Sequence, residues 1–276
     1  MHPIRPPAVS GSWYPGAAGA LASAVDAHLE RAAGAPRLQA LTALIAPHAG
    51  LVYSGPVAAH AYRQIEGRQI DTVVLVGPSH HVGFDGVAIY RRGGFDSPLG
   101  VAPIDEACAS RLIDADPLIV HEHPTAHVRE HSLEMQLPFI RRLLPHATIV
   151  PLVMGWQTRD TATALARALA TAVTGMRTLL VASSDLSHFE RAERAHTLDM
   201  AVVEAVSAFD PEQLQQLLEA NDRHACGGGP MVAVMRAARA LGARDAVVLN
   251  YGDSGDVSGD KSSVVGYLAA AFGAAA

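Results

Sequence analysis

Short apolar runs that do not alternate with polar residues recur along the chain, and they constrain its fold more than any other feature. Such runs are typical of central strands that are covered on both faces of a sheet. They are rich in Val, Leu and Ile, and longer helix-like segments stand between them. The predicted strands are Thr42–Ala46, Thr72–Val76, Val87–Tyr90, Thr148–Met154, Thr178–Ser183, Ala246–Tyr251 and Ser263–Ala270.

The segments between these runs have the pattern of amphipathic or buried helices. The predicted helices are Ala18–Ala33, Pro56–Ile65, Asp105–Asp114, Ser132–Leu144, Thr158–Val173, Arg191–Phe209, Pro211–Ala220 and Pro230–Leu241. Pro138 is expected to kink or split the fourth of them, because proline cannot donate a helical hydrogen bond. Alternating strands and helices predict an α/β fold with a central, mostly parallel or mixed sheet and helices on both faces. Because no linker divides the chain, residues 1–276 are expected to form a single domain.

Composition excludes several classes of protein. The 276 residues carry a formal net charge of −6 with no basic block, which argues against a nucleic-acid partner or an anionic membrane surface. The two cysteines, Cys108 and Cys226, make no disulfide framework and fit a reducing compartment. The N-terminus lacks the apolar segment of a signal peptide, and no apolar run reaches the length of a membrane span. A cytoplasmic protein is therefore expected.

Histidine and aspartate side chains follow three of the predicted strands. His48 follows the first strand, His80 and His81 follow the second, and Asp185 and His188 follow the fifth. Ligands of open α/β sheets bind beyond the carboxyl ends of the strands, so the three groups are expected at one site. Each group alone could be structural. Adjacent side chains of an extended loop point to opposite sides, so His80 is expected at the site and His81 behind it.

Cys226 stands just before a predicted helix whose first turn holds Pro230. Free amides and the helix dipole at such a position favour a thiolate, which is both a metal ligand and a nucleophile. Cys226 is therefore predicted to be the more thiolate-like cysteine. Cys108 has the surroundings of a small buried apolar residue.

The segment from His127 to Glu134 allows two interpretations. His127 to His131 reads H-x-x-E-H, the zinc-binding pattern of inverzincin proteases. Alternatively, His131 and Glu134 point together into the pocket from a helix N-terminus that Ser132 caps, or they form a surface pair.

Several motifs together resemble the Memo family, whose bacterial members are often called AmmeMemoRadiSam system protein B. The resemblance covers nearly the whole chain. It runs through GSWY (11–14), APHAG (46–50), AAHAY (58–62), GPSHH (77–81), EHSLEMQLP (130–138), SSDLSHF (183–189), CGGGP (226–230), LNYGDS (249–254) and VVGYLAAAF (264–272).

This resemblance implies a fold similar to that of class III extradiol dioxygenases, which hold non-haem Fe(II) with two histidines and a carboxylate. In the Memo family two histidines and a cysteine stand in that place. By motif these are His48, His80 and Cys226, with Asp185 and His188 adjacent. A thiolate suits copper, zinc or iron, and it argues against ordinary ring cleavage. The resemblance does not extend to His127, which weakens the protease interpretation.

The function expected from these residues is a redox-type reaction at one transition-metal ion, Fe(II) or copper, with zinc as a further candidate. His188 would be the acid or base and Asp185 would orient it. One alternative is a metal-free thiol hydrolase with Cys226 as nucleophile. Another is a non-catalytic module that binds a metal or a partner. The substrate is expected to be a small molecule, and AMMECR1-type and radical-SAM proteins are candidate partners by resemblance.

Two aromatic residues are expected at the mouth of the pocket. Trp13 lies in the GSWY motif, and Tyr53 follows His48 in a predicted loop. They could stack on a planar substrate or on a partner's aromatic side chain. The alternative is that both merely pack the N-terminal segment onto the domain.

Overall fold

Four parallel strands form the centre of the main sheet. The computed structural model describes residues 3–34 and 36–275. Its strands are β1 (Ile4–Arg5), β2 (Ala40–Ala46), β3 (Thr72–Pro78), β4 (Val87–Ile89), β5 (Gly94–Phe95), β6 (Ala102–Pro103), β7 (Val120–Glu122), β8 (Thr148–Met154), β9 (Thr178–Ser183), β10 (His188–Glu190), β11 (Asp245–Asp253) and β12 (Val264–Ala274).

The order of the strands explains why the apolar runs do not alternate. The main sheet runs β10-β12-β2-β9-β3-β8-β4-β7, and β11 also pairs with β12. β2, β9, β3 and β8 are mutually parallel, whereas β12 is antiparallel to β2 and β4 is antiparallel to β8. Every residue of β3 is buried, as expected for a strand with helices over both faces. The predicted mixed α/β sheet is confirmed.

Helices fill most of the connections. They are α1 (Ala18–Arg31), α2 (Leu51–Arg63), α3 (Glu106–Ala115), α4 (Pro124–Val128), α5 (Leu137–Leu143), α6 (Arg159–Val173), α7 (Ala192–Ser207), α8 (Pro211–Ala220), α9 (Gly228–Ala240) and α10 (Gly255–Ser258), with 3-10 turns at Glu134–Gln136 and Asp222–His224. Pro138 does split the helix predicted for residues 132–144, because it occupies the first turn of α5. Within the described ranges, no helix is long and apolar enough to cross a membrane.

Helix α2 begins five residues earlier than predicted. Pro56 lies inside it, although the sequence interpretation placed this proline in the first turn. Tyr53 is therefore helical, and its predicted loop position is wrong. The helix begins directly after Gly50, and the Leu51 amide donates to the carbonyl of Trp13 at 2.8 Å. This contact ties the N-terminal segment to the turn that follows β2.

A second, three-stranded sheet holds the N-terminal segment in place. Strand β1 pairs with β5, which pairs with β6. These strands have only two residues each, too few to show a periodic pattern in the sequence. Arg5, the second residue of β1, is buried, and its guanidinium donates a hydrogen bond to the carbonyl of Glu130.

Candidate metal site

The carboxyl ends of the central strands bring the predicted residues to one edge of the sheet. Ala46 of β2 pairs with Ser183 of β9, so the loops that carry His48 and Asp185 leave the sheet side by side. The start of α9 brings Cys226 to the same edge. Ligand atoms of His48, His80 and Cys226 all lie within 4.8 Å of one another.

His48 is buried, and its hydrogen bonds set which ring nitrogen carries the proton. Its Nδ1 lies 2.9 Å from the hydroxyl of Ser183. That hydroxyl donates its single proton to the carbonyl of Ser132 at 2.6 Å and also accepts from Gln136 Nε2 at 2.7 Å. It must therefore accept from His48, so Nδ1 is protonated and the Nε2 lone pair is free. Burial, followed by the nearby rings of His80 and His131, lowers the pKa of His48, which keeps the ring neutral.

His80 is oriented by Glu130. The Nδ1 of His80 lies 2.8 Å from Glu130 Oε1, and the His80 amide donates to Oε2 at 2.6 Å. Amides of His131 and Ser132 also donate to Oε1, at 3.0 and 2.9 Å. Burial alone would raise the pKa of Glu130, but the hydrogen bonds from His80 and these amides lower it well below its usual range. The carboxylate thus fixes a proton on Nδ1 and leaves Nε2 for a metal, as in carboxylate–histidine–metal sites.

The His80, Glu130 and His131 side chains form a second group with metal-ligand spacing. This group is less suited to an ion, because both Glu130 oxygens already accept the hydrogen bonds described above.

Cys226 completes the set of donors. Its Sγ lies 3.2 Å from His48 Nε2 and 3.6 Å from the carbonyl oxygen of Asp185. Two neutral imidazoles and a thiolate make a borderline-soft site that fits Fe(II), copper or zinc and disfavours Mg²⁺ and Ca²⁺. Along the described chain, the residues present therefore fit a transition-metal ion.

Cys226 is not the more thiolate-like of the two cysteines in the metal-free protein, contrary to the prediction. Burial and then the charge of Asp185 raise the pKa of its thiol, which outweighs the position before α9. Burial also raises the pKa of Cys108, to about 12. Both cysteines are therefore protonated near neutral pH, and a bound metal would have to displace the proton of Cys226.

Asp185 and His188 lie beside the ligands, but in the described structure each side chain has other hydrogen-bond partners, so the predicted orientation of His188 by Asp185 is not found. Asp185 Oδ1 accepts from the amides of His48 and Ala49 at 2.7 and 3.3 Å. Burial raises the pKa of Asp185 to about 6, partly offset by the hydrogen bond from the His48 amide. His188 is oriented by a carbonyl instead: its Nδ1 lies 2.8 Å from the oxygen of Leu186. Asp185 therefore holds the loop that carries His48, and the hydrogen bond of His188 Nδ1 leaves the Nε2 of that ring without a partner among the described residues.

His131 lies at the site, whereas Glu134 is turned away from it. The His131 ring stacks on His80 with centroids 4.6 Å apart, and burial lowers its pKa to about 4. The carboxylate of Glu134 binds Arg5, Tyr14 and two amides of the N-terminal segment. Glu134 is thus an anchor for that segment. His81 is exposed, with its ring 6.0 Å from that of His131.

The inverzincin interpretation is wrong, because His127 and His131 do not share a helix. Helix α4 ends at Val128. His127 is buried against the rings of Tyr90 and Phe95, and burial lowers its pKa to about 3. Ser132 does not cap a helix, since its hydroxyl donates to the carbonyl of Pro78 at 3.1 Å.

Three cavities border the site. Trp13 and Tyr53 both line the first, of about 590 Å³, and the Trp13 ring lies 4.4 Å from that of His131. The lining of this cavity does not include the three donor residues. Cys226 instead lines two cavities of about 420 and 410 Å³, and it shares the smaller one with His188. Cys226 is therefore reached directly from these two cavities, and the aromatic cavity lies next to His48, because Ala49 and Gly50 line it.

Sequence reasoning missed the residues that orient the ligands. Glu130 was read only as part of a motif, and Ser183 only as the end of a strand. Both carry signals: Glu130 directly precedes His131, and Ser183 stands two residues before Asp185. Their hydrogen bonds to His80 and His48 join loops that are distant in the sequence, so the spacing of residues along the chain does not reveal them.

Comparison with known proteins identifies relatives over almost the full length of the chain. A family model described as Memo-like protein matches residues 5–271. A MEMO1 family protein of Methanothermobacter thermautotrophicus, MTH_45, is 36% identical over 273 residues, covering 96% of this chain and 98% of the relative. One from Ignicoccus hospitalis is 37% identical over 282 residues, covering 98% of both.

A solved structure has a similar fold. It is that of an uncharacterized protein, JW3007, from Escherichia coli K12, with a TM-score of 0.58 and 15% sequence identity. The match covers 83% of this chain and 99% of the other. At this identity the likeness concerns the fold alone.

Proposed function

The chain belongs to the Memo family, and from this premise we propose that it binds one transition-metal ion through His48, His80 and Cys226 and uses it in a redox reaction on a small molecule. The observation that carries the proposal is the convergence of three ligand atoms within 4.8 Å. The hydrogen bonds of Ser183 and Glu130 support it further, because they direct the Nε2 lone pairs of both histidines toward that convergence. A structural histidine pair would need neither arrangement.

Iron or copper is the proposed ion, with zinc able to occupy the same donors. Such an ion, when bound, supplies one-electron chemistry and open positions for dioxygen or substrate. Protein residues would hold and move the protons. His188 donates Nδ1–H to the Leu186 carbonyl, which leaves its Nε2 as a base on the cavity that it shares with Cys226.

The metal-free thiol hydrolase is the weaker alternative. Its nucleophile would be Cys226 and its base His48, 3.2 Å away. Such a pair works as thiolate and imidazolium, but burial lowers the pKa of His48 and raises that of Cys226. Both shifts favour the neutral thiol and imidazole. A module that binds a metal without turnover has the same ligands and differs only in activity.

Anaerobic purification followed by elemental analysis tests the metal, with Cys226→Ser as the variant and Cys108→Ala as its control. We expect about one ion per chain in the wild type and in the control, and a large loss in Cys226→Ser. Oxygen consumption by the Fe(II)-loaded and copper-loaded protein with a catechol then tests turnover. Metal without turnover of any reducing substrate would support the binding module. Hydrolysis of an ester by the metal-free protein would support the thiol hydrolase, provided that alkylation of the cysteines abolishes the activity.

A cytoplasmic location and contacts with AMMECR1-type and radical-SAM proteins remain proposals. The location rests on the two free cysteines, and the partners rest on the family resemblance. Co-purification from the native cell under reducing conditions would test both.

A further inference from the structure

The cavity of about 590 Å³ beside the metal site has an aromatic wall. Trp13, Tyr53, Phe189 and Tyr267 all line it, and the first three are 38%, 41% and 78% exposed. Its volume lies in the range of small-molecule sites. Three of these rings, from three separate segments, are exposed, whereas Tyr267 is buried beneath the cavity. Exposed aromatic rings of this kind can stack on a flat ligand.

The charge of the cavity has one sign. Asp260 is the sole charged side chain among the described residues that line it. The other polar groups of the described lining side chains are the hydroxyls of two tyrosines, the indole N–H of Trp13, and the serines Ser12, Ser254, Ser258 and Ser263. Lysine, arginine and histidine are absent from that described lining. The neighbouring Lys261 is engaged elsewhere, because its Nζ lies 2.7 and 2.6 Å from carboxylates of Asp253 and Asp256.

Asp260 is held as a carboxylate within its loop. Its Oδ1 accepts from the amide and the hydroxyl of Ser262, at 2.8 and 2.7 Å. These hydrogen bonds lower the pKa of Asp260. A ligand in the cavity therefore faces a fixed negative charge with no protein cation to neutralise it.

Phe189 has a conformation that its own packing does not explain. Its φ is +60°, in the left-handed region that favours glycine, and its side chain is 78% exposed. It lies at an irregularity between β10 and β12, where His188 pairs with Val265 and Glu190 with Val264. Such bulges redirect side chains, often beside active sites. Here the bulge turns the aromatic ring toward the cavity.

We propose that this cavity binds an organic cation that carries an aromatic ring, with Phe189 as a wall of the site and Asp260 as the partner of the positive charge. The faces of aromatic rings carry negative charge density and attract cations. An anionic ligand would find no positive side chain in the described lining and would face Asp260. The role of such a ligand as substrate rests on the proposed function, but its binding does not, since none of the three donors lines the cavity.

Three probes that share a phenylethyl group test the preference for charge: 2-phenylethylammonium, neutral 2-phenylethanol and anionic 3-phenylpropanoate. Binding is measured by isothermal titration calorimetry with metal-free full-length protein. We expect the ammonium probe to bind about three- to tenfold more tightly than the alcohol, and the anion most weakly. The same measurement on Cys226→Ser separates this proposal from the metal site, because the variant should bind the probes like the wild type.

Two variants test the assigned residues. Asp260→Asn should remove the preference for the ammonium probe over the alcohol, while Asp114→Asn, an exposed aspartate outside the cavity, should retain it. Phe189→Gly should weaken the binding of every probe by about fivefold or more. Its thermal midpoint should be unchanged or higher, because glycine tolerates a positive φ. A merely structural Phe189 would give the reverse: a lower midpoint and unchanged binding.

The proposal is overturned if the anion binds the wild type as tightly as the ammonium probe, or if Asp260→Asn keeps the preference. If Phe189→Gly fails to fold, Phe189 is structural and that part of the proposal is wrong, while the wild-type preference and Asp260→Asn still decide the class of ligand. If the protein binds the probes as expected but binds no metal, the proposed function is wrong and the present proposal stands.

Discussion

Replacing Glu130 by Gln is expected to weaken metal binding while the protein stays folded. The carboxylate accepts four N–H groups: His80 Nδ1, and the amides of His80, His131 and Ser132. A glutamine has one oxygen acceptor and one NH2 donor in their place. Whichever way the amide is turned, its NH2 meets at least one N–H that it cannot accept.

The magnitude follows from which N–H loses its partner. If it is His80 Nδ1–H, the ring can move its proton to Nε2 and lose the lone pair that would bind the metal. Removing partners of this kind costs about 10- to 100-fold in metal affinity, or about 1.4 to 2.8 kcal/mol. If it is a backbone amide, the cost is about 1–3 kcal/mol of stability instead.

Glu134→Gln is the matched control. Its side chain is as buried as that of Glu130, at 0% and 1% exposure, and it lies four residues along the same segment. It binds Arg5 and the N-terminal segment, so it should lower stability and leave metal affinity per folded molecule unchanged. Affinity is measured by competition with a chromophoric chelator, and folding by circular dichroism. Wild-type zinc affinity in Glu130→Gln, or equal losses in both variants, would refute this reasoning.

Three further predictions concern the ligand Cys226 and two neighbours of the metal ligands, His188 and Asp185. His188→Ala should retain metal content within about twofold yet lower any turnover, because the ring contacts Leu186 and is not among the donors; metal analysis beside rate measurements checks this. Metal binding at pH 7 should release about one proton per ion, because the pKa of the Cys226 thiol is raised and the thiol must lose its proton to bind. Calorimetry in two buffers of different ionisation enthalpy measures this release, and zero release would contradict the prediction. Asp185 has a folded pKa of about 6, above its unfolded value, so its contribution favours the fold at low pH and is lost as pH rises through 6. Metal-free Asp185→Asn should therefore gain up to about 3 kcal/mol over the wild type at pH 8 and only about 0.5 kcal/mol at pH 4. Urea unfolding at both values tests this, and an equal loss at both would count against it.

The sequence predicted the central sheet well because that sheet is buried on both faces. The predicted strands Thr148–Met154 and Thr178–Ser183 coincide with β8 and β9. The expectation that His48, His80 and Asp185 meet at one edge also follows from parallel strands, whose carboxyl ends share an edge. In contrast, strands β1, β5 and β6 have two residues each and carry no periodic signal.

The errors at the site have a common physical cause. The position of Cys226 before a helix predicts a low pKa for its thiol, but burial and the charge of Asp185 raise that pKa instead. The sequence predicts Asp185 as the partner of His188, but its carboxylate accepts hydrogen bonds from the amides of His48 and Ala49. Such outcomes depend on which loops cross in space, and spacing along one loop does not reveal them.

X-ray absorption of the zinc-loaded protein tests the central claim most directly, because it reports the atoms bound to the ion. The account predicts about one ion per chain with one sulfur at about 2.3 Å and two imidazole nitrogens at about 2.0–2.1 Å. In Cys226→Ser the sulfur shell should disappear. A wild-type shell of nitrogen and oxygen alone, or a sulfur shell that survives in Cys226→Ser, would contradict ligation by His48, His80 and Cys226.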